Sequence, residues 1–309
     1  MSDNKDELNR LRSEIATINA TLLEQMNQRA RLLQQVLKVK QRGGWPLFSP
    51  EREQKMLDQL VQDNEGPFSD QVIREVFQKI FSASVQLMEG QRNQELLVGR
   101  TRHRQDLEIE VRGRIIGRDP VLIAGPCSVE NPEQMEAVAA HMASRGVGFL
   151  RGGAFKPRSS PYTFQGLGEE GLKILQDVGR RHDLITVSEV LDTRTVELVS
   201  EHVDILQIGS RSMYNYQLLK EVGSIDKPVL LKRGLSATVD ELIYAAEYIA
   251  SRGNQKIILC ERGIRTFENQ TRNTLDIAAV PLLRQQTFLP VLVDVSHAAG
   301  RKDILAALG

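Results

Sequence analysis

The chain has 309 residues, 41% of them apolar, which is enough for a sizeable core and too much for a disordered chain. Its 40 Lys and Arg balance 40 Asp and Glu, which argues against a general nucleic-acid binder, and no run of about 18 apolar residues marks a membrane span. The polar start MSDNKDELNR lacks the apolar core of a signal peptide and two cysteines make no disulfide scaffold, so the expectation is a cytoplasmic protein whose cysteine chemistry is that of a free thiol.

In the first 90 residues the apolar period is helical. Leu8, Leu11, Ile15, Ile18 and Leu22 are spaced three, four, three, four, the seam of an amphipathic, coiled-coil-like helix. No Gly or Pro interrupts residues 3–42, and Gly43-Gly44-Trp45-Pro46 ends that helix. Ser49 then Pro50 reads as an N-cap with Pro at the first helical position, opening a second helix to about Asp63. Gly66-Pro67 breaks it. Ser69 caps a third helix, which carries Val72, Ile73, Val76, Phe77, Ile80 and Phe81 on one face and stops near Gly90. So long a first helix cannot bury its seam against two short partners, and dimerisation through it is expected. Residues 91–106 read as a charged linker.

From residue 107 the period changes. Leu107–Ile116 alternates around Arg112-Gly113 as a short hairpin. Seven apolar runs follow, at 121–128, 149–154, 185–190, 205–210, 228–234, 256–263 and 290–297, with helical stretches between most of them. Strands apolar on both faces that alternate with helices mean a parallel sheet, and none carries a GxGxxG turn. Each run turns polar at its end, at Cys127, Arg151, Glu189, Gln207 with Arg211, Lys232 with Arg233, Glu261 with Arg262, and Asp294 with His297. A (β/α)8 barrel places its active site at that end of every strand, whereas an open sheet concentrates it at one switch point. The expected fold is therefore α/β. It is a TIM barrel over 107–309 whose eighth βα unit is missing from this chain, behind an all-α three-helix dimerising domain over 1–90.

The strand ends are cationic, with Arg151, Lys156, Arg158, Arg211, Lys232, Arg233, Arg262 and Arg265. So many like charges repel unless anions lie between them, and guanidinium forks match phosphate and carboxylate oxygens. The substrates should be anionic, with more than one phosphate. Arg265 suits a surface role better than Lys232, which follows a buried run. Cys127 and His297 suit a divalent transition metal, although a lone Cys in such a run is more often packing; Cys260 reads as core.

The motifs IAGPCSVE (123–130), LRGGAFKPRSSPYTFQGLG (150–168), SEV (188–190), QIGSR (207–211), LLKRG (230–234), CERGIRTFE (260–268) and DVSHAAGR (294–301) closely resemble 3-deoxy-D-arabino-heptulosonate-7-phosphate (DAHP) synthase. The resemblance implies condensation of phosphoenolpyruvate with erythrose 4-phosphate and water at a divalent metal, Mn, Fe, Co or Zn. Cys127 and His297 match two metal ligands of that family; its Glu and Asp ligands lie beyond the seventh helix, where this chain stops. Phosphoenolpyruvate would lie on Arg151, Lys156, Arg211, Lys232 and Arg262, with Arg233 beside them. Arg158 and Ser159 would hold the phosphate of erythrose 4-phosphate. Glu189 and Gln207 would orient substrate or water, Lys156 would act as the acid, and Asp294 would stand beside the metal. A sister family makes 3-deoxy-octulosonate 8-phosphate from arabinose 5-phosphate; Lys156-Pro157-Arg158-Ser159 favours the four-carbon sugar. The usual Gly-Ala-Arg-Asn is Gly209-Ser210-Arg211-Ser212 here, with its Arg kept.

In the helical part, Arg29 is in register with Leu8, Ile15 and Leu22, which puts a cation in the seam at a cost unless an anion pairs with it. A dicarboxylate ligand would satisfy it; so would salt bridges between subunits to Glu14, Glu24 or Glu51. The first 90 residues resemble the chorismate mutase domain that some of these synthases carry. Arg12, Arg29, Lys40, Arg52, Glu53 and Ser84 match its pattern for chorismate or prephenate. Ser49 and Met88 depart from it, and the Met88 thioether is a poor acceptor where the family has Gln or Glu. That implies binding with little or no rearrangement, as a feedback sensor in a homodimer or homotetramer. A non-catalytic regulatory subunit for these pathway acids is the alternative.

Overall fold

The structure, a computed structural model, describes residues 2–43, 49–94, 96–156, 160 and 162–309. The chain divides into two compact units, Met1–Gln94 and Glu95–Gly309.

In the first unit the three-four spacing gives one helix, α1 (Ser2–Gly43). Ser49 accepts from the backbone N–H of Arg52 and Pro50 opens α2 (Pro50–Gln62), as capping chemistry dictates. The hydroxyl of Ser69 accepts from Val72 N at the start of α3 (Asp70–Gln94). That helix passes the stop expected at Gly90, because one helical Gly costs only about 1 kcal/mol. The expected end of α1 at residues 44–46 lies outside the described residues. Leu37, Leu57, Phe81 and Met88 form the buried apolar set of this unit, whereas the seam residues Leu8, Ile15, Ile18 and Leu22 are 46% to 59% exposed.

The second unit begins on its own core. Leu96 and Val98 are buried, and Glu247 accepts from the N–H groups of Leu97 and Val98. Of the stretch expected as a linker, residues 91–94 thus extend α3 and these apolar side chains pack on the barrel. The hairpin forms as expected, β1 (Ile109–Val111) against β2 (Arg114–Ile116), with Arg112 at its tip in the left-handed region at φ 46°.

Seven parallel strands then pair in chain order: β3 (Ile123–Ala124), β4 (Phe149–Arg151), β5 (Ile185–Val190), β6 (Ile205–Ile208), β7 (Val229–Lys232), β8 (Ile257–Glu261) and β9 (Val291–Val293). Between and after them run α4 (Pro132–Ser144), α5 (Glu169–Arg181), α6 (Val196–His202), α7 (Tyr216–Gly223), α8 (Val239–Ala250), α9 (Ala279–Gln286), α10 (Val295–Ala299) and α11 (Leu305–Leu308). The sheet curls as a partial barrel, so that one cavity is lined from both β3 and β9. Among the described strands β3 and β9 are each paired on one side only. No described helix is long and apolar enough to cross a membrane.

Strand alternation sorts the core into two layers. Phe149, Ile185, Val187, Ile205, Leu230, Ile258 and Cys260 face inward and pack with Ile109, Val111 and Ile116 of the hairpin. Leu150, Val190, Leu206, Ile208, Val229, Leu231, Ile257 and Leu259 face outward onto the helices. Continuing the inward register past each apolar run fixes which strand-end side chains enter the barrel mouth.

Candidate active site

That register points Cys127, Arg151, Glu189, Gln207, Lys232 and Arg262 inward, and all six line one cavity of about 390 Å³. Lys156, Arg211 and His297 join them from the loops and from α10. Asp294 lines an adjoining cavity of about 560 Å³, which shares Cys127, Arg151, Lys232 and His297 with the first.

A chain of polar contacts links this floor. Lys156 Nζ donates to Cys127 O at 2.8 Å and to Cys127 Sγ at 3.3 Å. The His297 ring lines the same cavity as the Cys127 thiol. His297 Nδ1 lies 2.7 Å from Asp294 Oδ2, and Lys232 Nζ donates to the same carboxylate oxygen. Interaction with His297 pulls the thiol down to about 6 against its own burial, helped by the charges of Lys156 and Arg151. Burial pushes the Asp294 carboxyl up, but the His297 and Lys232 contacts together hold it well below the usual range. Gln207 Nε2 donates to Glu189 Oε2 at 3.4 Å. Gly209 leaves room for that carboxylate: a Cβ there would sit 1.9 Å from Glu189 Oε1.

Cys127 and His297 are donors of the right chemistry for a divalent transition metal. Asp294 holds the imidazole from behind, as carboxylates do for metal-bound histidines. Among the described residues, no group of three His, Cys, Asp or Glu side chains converges as a metal site. The pair therefore fits part of a coordination shell.

Arg233 does not enter the cavity. It follows Lys232 by one residue, so alternation sends it outward, where Nη1 lies 2.8 Å from both Glu261 Oε2 and Asp276 Oδ2 and Nε donates to Ala237 O. Glu261, fully buried, also accepts from Gly263 N at 2.5 Å. Although burial opposes it, these carboxylates raise the Arg233 guanidinium above its usual value. The substrate role expected for Arg233 is thus replaced by a structural clamp. Arg158 and Ser159 lie outside the described residues.

Arg265, counted among the strand-end cations though better suited to a surface role than Lys232, reaches the cavity, and so does Arg272, which the sequence reading did not single out. A chain reversal carries them there: Ile264 and Thr274 pair as an antiparallel bridge. The two arginines lie beyond strand register, so only the closed loop reveals them.

In the helical unit, Arg29 Nη1 donates to Ser84 Oγ, and its guanidinium lies 5.2 Å over the Phe81 ring. Half-burial pushes that guanidinium below its usual value. Of the six side chains expected at a helical-domain site, these two are in contact. Arg12 and Arg52 are exposed, Glu53 is half-buried, and Lys40 has a partner of its own.

Residues 99–307 match the model of the DAHP synthetase I family. The chain belongs to that family. Residues 11–89 match the chorismate mutase type II model. A phospho-2-dehydro-3-deoxyheptonate aldolase of Thermotoga maritima is 51% identical over 213 residues, 69% of this chain and 63% of that relative. A crystal structure of that Thermotoga maritima DAHP synthase matches at TM-score 0.67 and 50% identity, covering 69% of this chain and 63% of the other. A 2-dehydro-3-deoxyphosphooctonate aldolase of Syntrophotalea carbinolica is 34% identical over 211 residues, 62% of this chain and 75% of that relative. This chain therefore spans less than two thirds of the length of the Thermotoga relative.

The two cysteines should differ in reactivity. In chelator-treated protein, iodoacetamide should label Cys127 with a rate that rises with pH and is half-maximal near pH 6, as the thiolate forms. Cys260, which burial pushes up to about 12, should react only after unfolding. Peptide mass mapping across a pH series reads both. Arg233→Met should lower stability by about 3–5 kcal/mol, because Glu261 is left charged and buried without an opposite charge; urea unfolding measures it.

Proposed function

We propose that the barrel unit is a DAHP synthase, condensing phosphoenolpyruvate with erythrose 4-phosphate and water to DAHP and phosphate. The observation that carries this reading is the convergence of inward-register cations around the Cys127–His297 pair in one cavity. The higher identity to a heptonate than to an octonate aldolase, 51% against 34%, supports the four-carbon sugar over arabinose 5-phosphate.

In this mechanism Arg151, Lys156, Arg211 and Arg262 bind the carboxylate and phosphate of phosphoenolpyruvate, and Lys232 completes the set while pairing with Asp294. Their gain is orientation and charge neutralisation, since two anionic substrates must lie face to face. C3 of phosphoenolpyruvate attacks the aldehyde carbon, water adds at C2, and phosphate leaves by C–O cleavage. A divalent metal held by Cys127 and His297 would supply Lewis-acid polarisation of the aldehyde oxygen. Lys156, 3.3 Å from Cys127 Sγ, delivers a proton to the oxygen that becomes the new hydroxyl. Glu189, steadied by Gln207, orients the water. Arg158 and Ser159 take the sugar phosphate.

The helical unit, on this proposal, binds chorismate or prephenate as a feedback effector, with Arg29 and Ser84 at its centre. Buried Met88 offers the breaking ether bond no hydrogen bond, so transition-state stabilisation suffers more than binding. Pairing of two copies through α1 would cover the exposed seam.

Phosphate release from phosphoenolpyruvate should require erythrose 4-phosphate, stop on chelation and return with Mn. Lys156→Met should lower kcat by about 100-fold or more. No release under any metal, or equal use of arabinose 5-phosphate, sinks the synthase reading. Chorismate should bind the intact chain with little mutase turnover, and Met88→Gln should raise that turnover at unchanged affinity; strong wild-type turnover that Met88→Gln leaves alone rejects the sensor.

A further inference from the structure

His297 rides on α10, a helix of only five residues, Val295–Ala299. So short a helix cannot satisfy its own last carbonyls, which need donors from elsewhere. Here they come from two neighbouring residues of the loop after β8. Arg272 N donates to Ala299 O and Asn273 N donates to Ala298 O, each at 2.9 Å. The third carbonyl, that of His297, is met by a side chain: Asn273 Nδ2 donates to it at 2.9 Å. Arg262 Nη2 reaches the same oxygen only at 3.5 Å, too long to hold it alone.

Asn273 is 5% exposed and lines the cavity. The loop has no slack beneath it. A Cβ at Gly263, which sits at φ 85°, would lie 2.8 Å from Asn273 Cβ and 3.1 Å from Ala298 Cα. From the other side Asp294 grips His297, accepting from its backbone N at 2.9 Å and lying 2.7 Å from Nδ1. Both backbone polar groups of His297 are therefore held by side chains, one on each side, and Nε2 is the ring nitrogen left for an ion. A buried Asn can also serve packing alone. Asn254, at the opposite end of the barrel, does so: its Nδ2 lies 3.4, 2.9 and 2.8 Å from the carbonyls of Val222, Ile225 and Lys227.

We propose that Asn273 is a positioning residue for the thiol–imidazole pair: by holding the His297 carbonyl it fixes where the imidazole meets an ion shared with Cys127. Without that donor the single turn of α10 is held only through the loop backbone, and the ring loses its place. The role rests on the reading of Cys127 and His297 as metal donors of a synthase.

Cobalt(II) added to the chelator-treated full chain is the probe, read by the thiolate-to-cobalt absorption band. That band should vanish in Cys127→Ser. Asn273→Leu, which keeps the size and removes the donor, should weaken cobalt binding about tenfold or more, the loss typical of partners behind a metal ligand. Asn273→Gln, which keeps a donor, should recover part of it, and Asn273→Ser replaces the Leu variant if that one does not fold. Asn254→Ala should lower the unfolding temperature and leave cobalt affinity alone. In turnover, the cobalt concentration for half activation should rise by the same factor in Asn273→Leu while the KM for phosphoenolpyruvate holds. Unchanged cobalt affinity in the Asn273 variants, an equal loss in Asn254→Ala, or a wild-type chain with no Cys127-dependent band each overturns the role, whether or not the chain turns over. Weakened cobalt binding in a chain that never condenses the two substrates would instead defeat the synthase reading and leave the role of Asn273 standing.

Discussion

The two-residue alternation of a β-strand governs almost everything at the mouth of this barrel. Lys232 and Arg233 are neighbours in sequence, yet one enters the cavity and the other is locked between Glu261 and Asp276 on the helix side. Glu261 and Arg262 repeat the division one strand later, with the acid outside and the cation inside. Two adjacent strands thus give their outward charges to each other and their inward charges to the cavity. The outward pair costs desolvation, which it offsets through short contacts in a dry setting. What it secures is the shape of the loop that carries Arg262, Arg265 and Arg272.

The inward charges obey a different balance. Several cations in one small volume repel, and burial lowers the Arg262 guanidinium accordingly. Asp294 relieves part of this at Lys232, and through the same oxygen it holds the His297 ring against Cys127. One carboxylate therefore couples the cationic group to the thiol–imidazole pair. Loss of Asp294 would disturb both at once, which makes it the joint of the site.

Much of this was legible in the sequence. Both helix starts at Ser49 and Ser69, the hairpin at Arg112-Gly113 and all seven strands follow from capping, turn and period signals, because those signals are local. The inward residues could be counted from the apolar runs, and so could the outward direction of Arg233, since Leu231 before it and Leu230 before Lys232 already belong to opposite layers. A list of strand-end charges that ignores this parity mixes the two. Arg265 was legible only as one cation of the strand-end list, and Arg272 not at all, because the pairing of Ile264 with Thr274 is what brings them to the mouth. Nor was the extension of α3 past Gly90, where a small local cost loses to the surrounding helix.

Because every strand of the sheet lies beside the one made just before it, the barrel offers each emerging segment a finished template. A nascent chain leaving the ribosome could zip forward from β3, one βα unit at a time, with each of β4 to β9 finding a partner already in place. Its growing tip, rather than its interior, would then be the surface most in need of a chaperone.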